Sequence, residues 1–151
     1  MATGTHRGNP EEVITFEDFH GTGRPAGPLP GGYASFTWCK NAWFMTSKFC
    51  GSLHGGCRAV LFNANGEDII FERDRLFSLK DMSLSLIWAQ AADVLIEGWE
   101  GATRRYIESV KVSRTALARP HLHFMDIDRV WLTSGGVHVA IYSITVVFQN
   151  T

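Results

Sequence analysis

Two histidines separated by one residue are the most specific candidates for chemistry in this sequence. His121 and His123 belong to the segment HLHFMD, and His138 follows downstream. Alternate side chains of a β-strand share a face, so the two imidazoles would lie about 7 Å apart along the strand. They could bind a transition metal such as zinc, iron or manganese if a third ligand approached, and His138 is the candidate. The alternative is a pair of solvent-facing histidines on an exposed strand.

A second set of residues favours binding of carbohydrate. Sugars present C–H faces that stack on aromatic rings, and hydroxyl groups that bind amides, carboxylates or guanidinium groups. The irregular segment 41–56 contains a tryptophan that core packing is least able to explain. We therefore predict a ligand site with Trp43 as its platform. Its other members are Asn41, His54, Asn63 and Trp99. Packing is the alternative for Trp43, and also for Trp99 at a hairpin corner.

Motifs for covalent catalysis are absent. Gly-x-Ser-x-Gly does not occur, and Cys50 with His54 has no recognisable catalytic context. Carboxylates that could form a glycosidase pair are present, but the sequence does not place them across a cleft. They are Glu67, Asp68, Glu97 and Glu100. An enzyme is therefore the less favoured class of function.

Three cysteines, Cys39, Cys50 and Cys57, lie within nineteen residues of one another and lack the Cys-x-x-Cys spacing of a structural zinc site. One disulfide with one free thiol would suit an oxidising compartment. Three buried thiols would suit the cytosol, and the sequence leaves both alternatives open.

Short alternating segments must position these residues. Segments 83–88, 93–99, 105–112, 128–133 and 137–148 are rich in β-branched and aromatic residues, and turn-forming residues bound them. Earlier strands are predicted at 13–16, 33–38, 58–62 and 68–71, with loops at 21–32 and 41–56 and a connector at 74–80. No segment keeps an apolar 3.6-residue period long enough to predict a helix. The sequence thus predicts an all-β jelly-roll sandwich of about nine to ten antiparallel strands. Residues 1–12 would form a flexible N-terminal segment and residues 13–151 one domain.

Composition limits the classes of partner. The 151 residues carry a formal net charge of −1, and the basic residues are scattered, so no footprint for nucleic acid or an anionic membrane is visible. No segment is long and apolar enough to span a membrane. The polar start at 1–8 lacks the apolar core of a secretory leader, so the protein is either intracellular or has lost a leader.

The last segment, 137–148, is apolar on both faces of the predicted strand. In a sandwich, one face of such a strand is normally exposed to water. Either a loop covers its outer side, or the strand contributes to a homo-oligomer interface.

Five segments occur in an order and spacing that match a known group. They are 15–19 (TFEDF), 30–38 (PGGYASFTW), 59–63 (AVLFN), 94–99 (VLIEGW) and 124–128 (FMDID). Over residues 13–148 the chain resembles secreted bacterial and fungal galactose-binding-like β-sandwich domains, the type associated with PEP-CTERM sorting tails. No sorting tail follows Thr151.

This resemblance implies a secreted, non-catalytic module for carbohydrate or surface adhesion. It also implies one structural Ca²⁺ near the first strand, where Glu17 and Asp18 match the acidic residues. Adjacent residues of a strand point to opposite faces, so only one of them would serve, and carbonyls of the 21–32 loop would supply further oxygens. A solvated acidic strand end is the alternative, since the acidic residue expected near the C-terminus is replaced by the segment IYSI at 141–144.

We therefore predict a carbohydrate-binding module, lectin-like or adhesive, whose partner is a glycan or glycoconjugate surface. Two other functions remain as alternatives. One is a structural or oligomer-forming sandwich without a small ligand, and the other is a metal-dependent jelly-roll enzyme that uses His121 and His123.

Overall fold

The computed structural model describes residues 10–50 and 53–149, without the side chain of Cys50. Ten strands make up most of this part of the chain. They are β1 (Glu11–Thr15), β2 (Ala26–Pro28), β3 (Thr37–Trp38), β4 (Ala42–Thr46), β5 (Ala59–Asn63), β6 (Ile69–Leu86), β7 (Ala91–Glu100), β8 (Thr103–Ser113), β9 (His121–Thr133) and β10 (Val139–Phe148). The helices are short: α1 (Ser47–Cys50) and 3-10 turns at Glu17–Thr22, Tyr33–Ser35 and His54–Gly56.

All strand pairs are antiparallel, and the hydrogen-bonded order is β2-β4-β5-β10-β6-β9-β7-β8. The strands β1 and β3 pair with β10 and β6 beside this path. Residues from β4 and from β8, near opposite ends of the order, belong to the same buried cluster. The sheet therefore folds over, so that the β4–β5–β10 layer faces the β9–β7–β8 layer. The predicted all-β sandwich of antiparallel strands is confirmed.

The two longest strands join the layers. Near its start β6 pairs with β3 and β9, and from Phe77 onward it pairs with β10 and β9. Register shifts interrupt the β6–β9 pairing between Glu72 and Phe77 and again before Leu79 and Asp81. Such bulges bend a strand and increase its twist, which allows one continuous strand to follow the curvature of the sandwich.

The core is built largely of aromatic rings. Phe36 makes edge-to-face contacts with Phe71 and Phe77, with ring centroids 5.0 and 4.9 Å apart. All three side chains are almost completely buried. Burial of each contributes roughly 1.5–3 kcal/mol relative to exposure. Because Phe36 directly precedes β3 whereas Phe71 and Phe77 lie on β6, their packing also fixes how the early segments meet β6.

A second apolar cluster covers the opposite face of the β4–β5–β10 layer. Its buried members are Met45, Val60, Phe62, Ala140 and Tyr142. Partly buried side chains from outside the layer pack over them, including Leu53 and Leu117. The strand β10 is thus buried on both faces, as its sequence required, and the covering segments belong to the same chain.

Several predicted segments differ from the structure. The connector at 74–80 is wrong, because these residues continue β6 and Phe77 and Leu79 are fully buried. The loop at 41–56 contains β4, the loop at 21–32 contains β2, and the strand at 33–38 is a 3-10 turn followed by β3. In each case long-range strand pairing decided the conformation, as where β4 pairs with β5 over five residues. β1 begins at Glu11, whereas residues 1–9 of the predicted flexible segment lie outside the described part.

Asn63 at the end of β5 ties the β5–β6 connection to the β9–β10 connection. Its amide nitrogen donates to the carbonyl oxygens of Glu67 and Val137 and to the hydroxyl of Ser134, at 2.9–3.2 Å. Its side-chain oxygen accepts from the backbone N–H of Val139 at 2.8 Å. The side chain is fully buried, so its own amide group and the Val139 N–H rely on these bonds in place of bonds to water.

We expect Asn63→Ala to lower the free energy of unfolding by about 2–4 kcal/mol, because the buried partners of the amide would be left unsatisfied. Denaturant unfolding followed by circular dichroism measures the change. The matched control is Asn65→Ala, two residues away on the exposed surface, which should change stability by less than about 1 kcal/mol. Equal effects of the two substitutions would contradict the structural role of Asn63.

Candidate functional site

Two tryptophans lie together on the exposed outer face of the β9–β7–β8 layer. On β7, Val94, Ile96 and Gly98 point into the core, so Trp99 after the bulge stands on the outer face. On β9, Val130 and Leu132 are buried, so Trp131 between them also points outward. The two indoles are half-buried, with ring centroids 6.2 Å apart and an interplanar angle of 36°. We call them the indole pair.

The indole pair is adjacent because of strand register. Trp131 is paired with Glu97, and Trp99 is paired with Arg129, so the two tryptophans are diagonal neighbours across the β7–β9 ladder. Diagonal neighbours are within reach of each other when the side chains are aromatic. Gly98 lies beside Trp99 on the core side of β7. A Cβ at this position would lie 2.8 Å from the ring of Phe124, so the glycine allows β7 to pack closely on that ring.

The N–H group of each indole donates a hydrogen bond to a carboxylate. The Trp131 Nε1–H donates to Asp68 Oδ2 at 2.7 Å, and the Trp99 Nε1–H donates to Glu97 Oε1 at 3.0 Å. Glu97 also forms an ion pair with Arg104 at 3.1 Å. These bonds orient the rings and leave their faces as the apolar part of the surface.

A guanidinium group completes this arrangement. The Arg129 Cζ lies 5.8 Å from the centroid of the Trp99 ring, within cation–π range. Its Nε is 3.3 Å from Glu72 Oε1, and its NH2 group donates to the carbonyl oxygen of Gly101 at 3.4 Å. The charges around the indole pair are therefore mostly matched with charges of opposite sign.

An open depression of about 530 Å³ lies beside Trp131. Asp68, which holds Trp131, and Thr133, two residues further along β9, both line it. Gly66 permits the close approach of the two loops at its floor, since φ is +78° and a Cβ would lie 2.7 Å from the carbonyl oxygen of Gly136. The outer face thus offers two apolar platforms with an open recess beside them.

The predicted ligand-binding residues do not form one site. Asn41 is buried and donates to the carbonyl oxygens of Glu67 and Asp68 at 3.2 and 2.8 Å. Asn41 and Asn63 therefore meet at the Glu67 carbonyl, where both serve loop structure. Trp43 is half-buried on β4, and its Nε1–H donates to the Lys40 carbonyl at 3.1 Å.

His54 lies elsewhere, in a segment that covers the second apolar cluster. The centroid of its ring is 5.9 Å from that of Tyr142. Trp99 is the predicted residue that the structure places in the indole pair. Its partner Trp131 is not among the predicted site residues, because core packing readily explains a tryptophan within a predicted strand. The alternation of buried Val130 and Leu132 with Arg129, Trp131 and Thr133 was the signal that could have found it.

Glu17 binds protein groups at the start of a 3-10 turn. Its Oε2 accepts from the backbone N–H groups of Arg58 and Ala59 at 2.8 and 2.9 Å, and from the Cys57 thiol at 3.1 Å. Its Oε1 lies 3.3 Å from Arg58 Nε. Burial opposes ionisation and would raise the pKa, but the hydrogen bonds from Cys57, Arg58 and Ala59 together outweigh it and lower the pKa of Glu17 to about 2. Burial and the adjacent Glu17 raise the pKa of Cys57 to about 11.

Asp18, the second predicted calcium ligand, is exposed and lies 3.5 Å from the Tyr33 hydroxyl. The oxygens of Glu17 are already bonded to four groups of the protein. Within residues 10–50 and 53–149, no three His, Cys, Asp or Glu side chains are grouped so that they could hold a metal ion. Calcium stays a prediction, which elemental analysis and melting curves in calcium and in EDTA would check.

His121 and His123 are exposed near the start of β9, with ring centroids 6.3 Å apart and nearly parallel planes. His138 does not join them. It precedes β10, where its Nε2 lies 3.2 Å from the Ala64 carbonyl oxygen and its ring meets Trp88 edge to face. The third ligand that the metal hypothesis requires is therefore not supplied by His138.

Two of the three cysteines can be described. Cys39 and Cys57 are free thiols, which donate to Asn41 Oδ1 and Glu17 Oε2, both at 3.1 Å. The side chain of Cys50 lies outside the described part of the structure. No disulfide therefore links Cys39 with Cys57.

Comparison with known proteins supports the fold. No protein-family model and no curated protein sequence matches the chain. Among solved structures, the agarase AgWH50C matches with a TM-score of 0.50 and 8% identity. That match covers 85% of this chain and 25% of the agarase, so this chain spans about a quarter of the agarase's length. An identity this low shows similarity of fold alone.

Two carbohydrate-binding modules are also similar in fold, at lower scores. TmCBM61, solved in complex with β-1,4-galactotriose, gives a TM-score of 0.44 and 10% identity, and the match covers 80% of this chain and 95% of that one. CBM29_1, a family 29 carbohydrate-binding module from Piromyces equi, gives a TM-score of 0.48 and 10% identity, and the match covers 93% of this chain and 91% of that one.

No helix in the described part of the chain has the length and apolar character needed to cross a membrane.

The low pKa of Glu17 predicts acid sensitivity. A carboxyl group with a pKa near 4.5 when unfolded and about 2 when folded stabilises the folded state above pH 4.5. That contribution is lost as the pH falls toward 2. We therefore expect Glu17→Gln to be less stable than the wild type at pH 6, and the difference to shrink between pH 4.5 and 2. Urea unfolding across this pH range measures it.

Glu12→Gln is the matched control for that experiment. The Glu12 side chain is exposed on β1, so its substitution should leave the wild-type pH dependence unchanged. A constant stability difference between Glu17→Gln and the wild type from pH 6 to pH 2 would show that ionised Glu17 does not provide the stabilisation.

Proposed function

We propose that this protein is a non-catalytic carbohydrate-binding module whose binding surface is centred on the indole pair. The observation that carries the proposal is the pair itself: Trp99 and Trp131 lie 6.2 Å apart on an exposed sheet face, oriented by carboxylates. Large aromatic side chains on an exposed sheet face are typical of surfaces that bind ligands or partners. Buried apolar residues beneath them already supply the core, so folding does not require two tryptophans at these positions.

The chemistry of the surface suits a polyhydroxylated ligand. The faces of the indoles can stack against the C–H faces of sugar rings. Carboxylate and guanidinium groups beside them can bind sugar hydroxyls, and the indole N–H groups are already occupied by Asp68 and Glu97. Because most charges there are paired, a neutral glycan is the ligand class that this surface favours.

The recess beside Trp131 favours a chain of sugars over a single ring. Asp68 and Thr133 line the depression of about 530 Å³, and Asp68 also accepts the hydrogen bond from Trp131. One sugar on each indole and a further sugar in the recess would use the whole surface. The proposal therefore includes binding to oligosaccharides or polysaccharides, and it implies a secreted protein that meets such glycans outside the cell.

Glycan arrays and affinity electrophoresis on soluble polysaccharides would identify the ligand. Agarose belongs in the screen, because part of an agarase shares the fold. Equilibrium sedimentation of the same preparation distinguishes the alternative of a structural, oligomer-forming sandwich. If no glycan bound and the sedimentation mass increased with protein concentration, the binding proposal would be overturned.

For a glycan that binds, we expect Trp99→Ala and Trp131→Ala each to weaken affinity at least tenfold, which is about 1.4 kcal/mol. Loss of a stacking platform is the physical reason. Isothermal titration calorimetry measures the affinity, and circular dichroism verifies the fold.

Trp43→Ala is the matched control, because Trp43 is a half-buried tryptophan on β4 outside the indole pair. It should leave glycan affinity within about twofold. If Trp43→Ala abolished binding while Trp99→Ala and Trp131→Ala retained it, the binding surface would be the one predicted from the sequence.

A further inference from the structure

A cavity of about 390 Å³ lies on the outer face of the other layer, away from the indole pair. It is lined by Leu53, His54, Leu86, Ile87, Trp88, Arg114, Ala140 and Tyr142. These residues come from the end of β6, from β10 and from two covering segments. None of them lines the depression beside Trp131. The volume lies at the small end of the range for ligand pockets, which suits a single ring-sized molecule.

Trp88 provides an apolar wall whose orientation is held. Half of its surface, 51%, is exposed, which is unusual for the largest apolar side chain. The ring nevertheless packs edge to face on His138, with centroids 4.9 Å apart. His138 in turn lies 3.2 Å from the Ala64 carbonyl oxygen through its Nε2. An indole that is both fixed and open offers a stacking surface at little entropic cost on binding.

Tyr142 places a polar group in the wall. Its side chain is only 7% exposed, and its hydroxyl oxygen accepts from the His54 backbone N–H at 3.1 Å. The phenol has its own hydrogen to donate, and no side chain or carbonyl in the described ranges accepts it. A buried hydroxyl without an acceptor is uncommon, and a ligand oxygen in the cavity would satisfy it.

The charge of the cavity is one-sided. Arg114 is the charged residue in its lining, and no Asp or Glu is among the lining residues. The His54 Nε2 lies 2.8 Å from the Arg114 carbonyl oxygen, which joins the two covering segments at the rim. Arg114 is exposed and forms no ion pair within residues 10–50 and 53–149. A guanidinium group in this situation can bind a carboxylate through two parallel hydrogen bonds.

We infer that this cavity is a second binding site, which takes a single carboxylate-bearing sugar ring of the hexuronate class. Trp88 would stack against the C–H face of the ring, Arg114 would pair with the carboxylate, and the Tyr142 hydroxyl would donate to a ring oxygen or hydroxyl. That the ring is a sugar rests on the proposed function, whereas the requirement for a carboxylate rests on the cavity alone.

Calorimetric titration of the full chain with glucuronate and galacturonate tests the inference, with glucose, galactose and benzoate as comparison ligands. We expect a hexuronate to bind with an affinity that falls as salt is raised, and we expect glucose and galactose to show no binding that Arg114→Met removes. Binding of benzoate without either hexuronate would overturn the sugar class. Absence of binding by every carboxylate would overturn the site.

Substitutions locate the binding. Arg114→Met should weaken hexuronate binding at least tenfold, and Trp88→Ala should weaken it to a similar degree. The matched control is Arg119→Met, an exposed arginine that does not line the cavity, and it should bind as the wild type does. Equal affinity of Arg114→Met and wild type would contradict the assignment.

The two sites can fail separately. Trp99→Ala with Trp131→Ala should abolish binding of the neutral glycan while leaving hexuronate affinity unchanged. Arg114→Met should do the opposite. If the double substitution of the indole pair also removed hexuronate binding, the hexuronate would be binding at the indole pair and the cavity would carry no second site.

Discussion

The structure depends on the strand β10, which is buried on both faces and hydrogen-bonded along both edges. It pairs with β1 and β5 on one side and with β6 on the other. Ile141 and Ile144 belong to the inner core, while Ala140 and Tyr142 belong to the cluster on the outer face. Because neither face of this strand can meet water without exposing apolar surface, the chain must supply cover on the outside as well as a core within.

That requirement separates the two outer faces of the sandwich. The β4–β5–β10 layer is covered by segments around His54 and Leu117, and incomplete filling between them leaves the cavity beside Trp88 and Arg114. Among residues 10–50 and 53–149, no segment covers Trp99 and Trp131 on the β9–β7–β8 layer in this way. Its outward side chains are free to form a surface, and ion pairs such as Arg104–Glu97 hold the polar groups there in place. One strand's burial thus leads to a cavity on one face and a platform on the other.

Local alternation predicted most of the later strands. The segments at 93–99, 105–112 and 137–148 correspond to β7, β8 and β10, because each is rich in β-branched and aromatic residues and is bounded by turn-forming residues. Prediction failed where pairing overrode local signals. The charged residues at 73–75 suggested an interruption, yet β6 continues through bulges because β9 and β10 flank it. Prediction also failed at 42–46, where neighbouring glycine and polar residues concealed a strand that β5 and β2 hold in place.

The sequence by itself determined the all-β class, the strands with clear alternation and the need to cover β10, since these depend on residues close together in the chain. Only the tertiary structure decided which outward side chains meet. Trp99 and Trp131 are 32 positions apart and become neighbours through the β7–β9 register. Asn41 and Asn63 looked like ligand contacts, but they are buried against the Glu67 carbonyl. Register arises from contacts between distant segments, so a periodic pattern within one segment predicts which face is buried but not which outward side chains become neighbours.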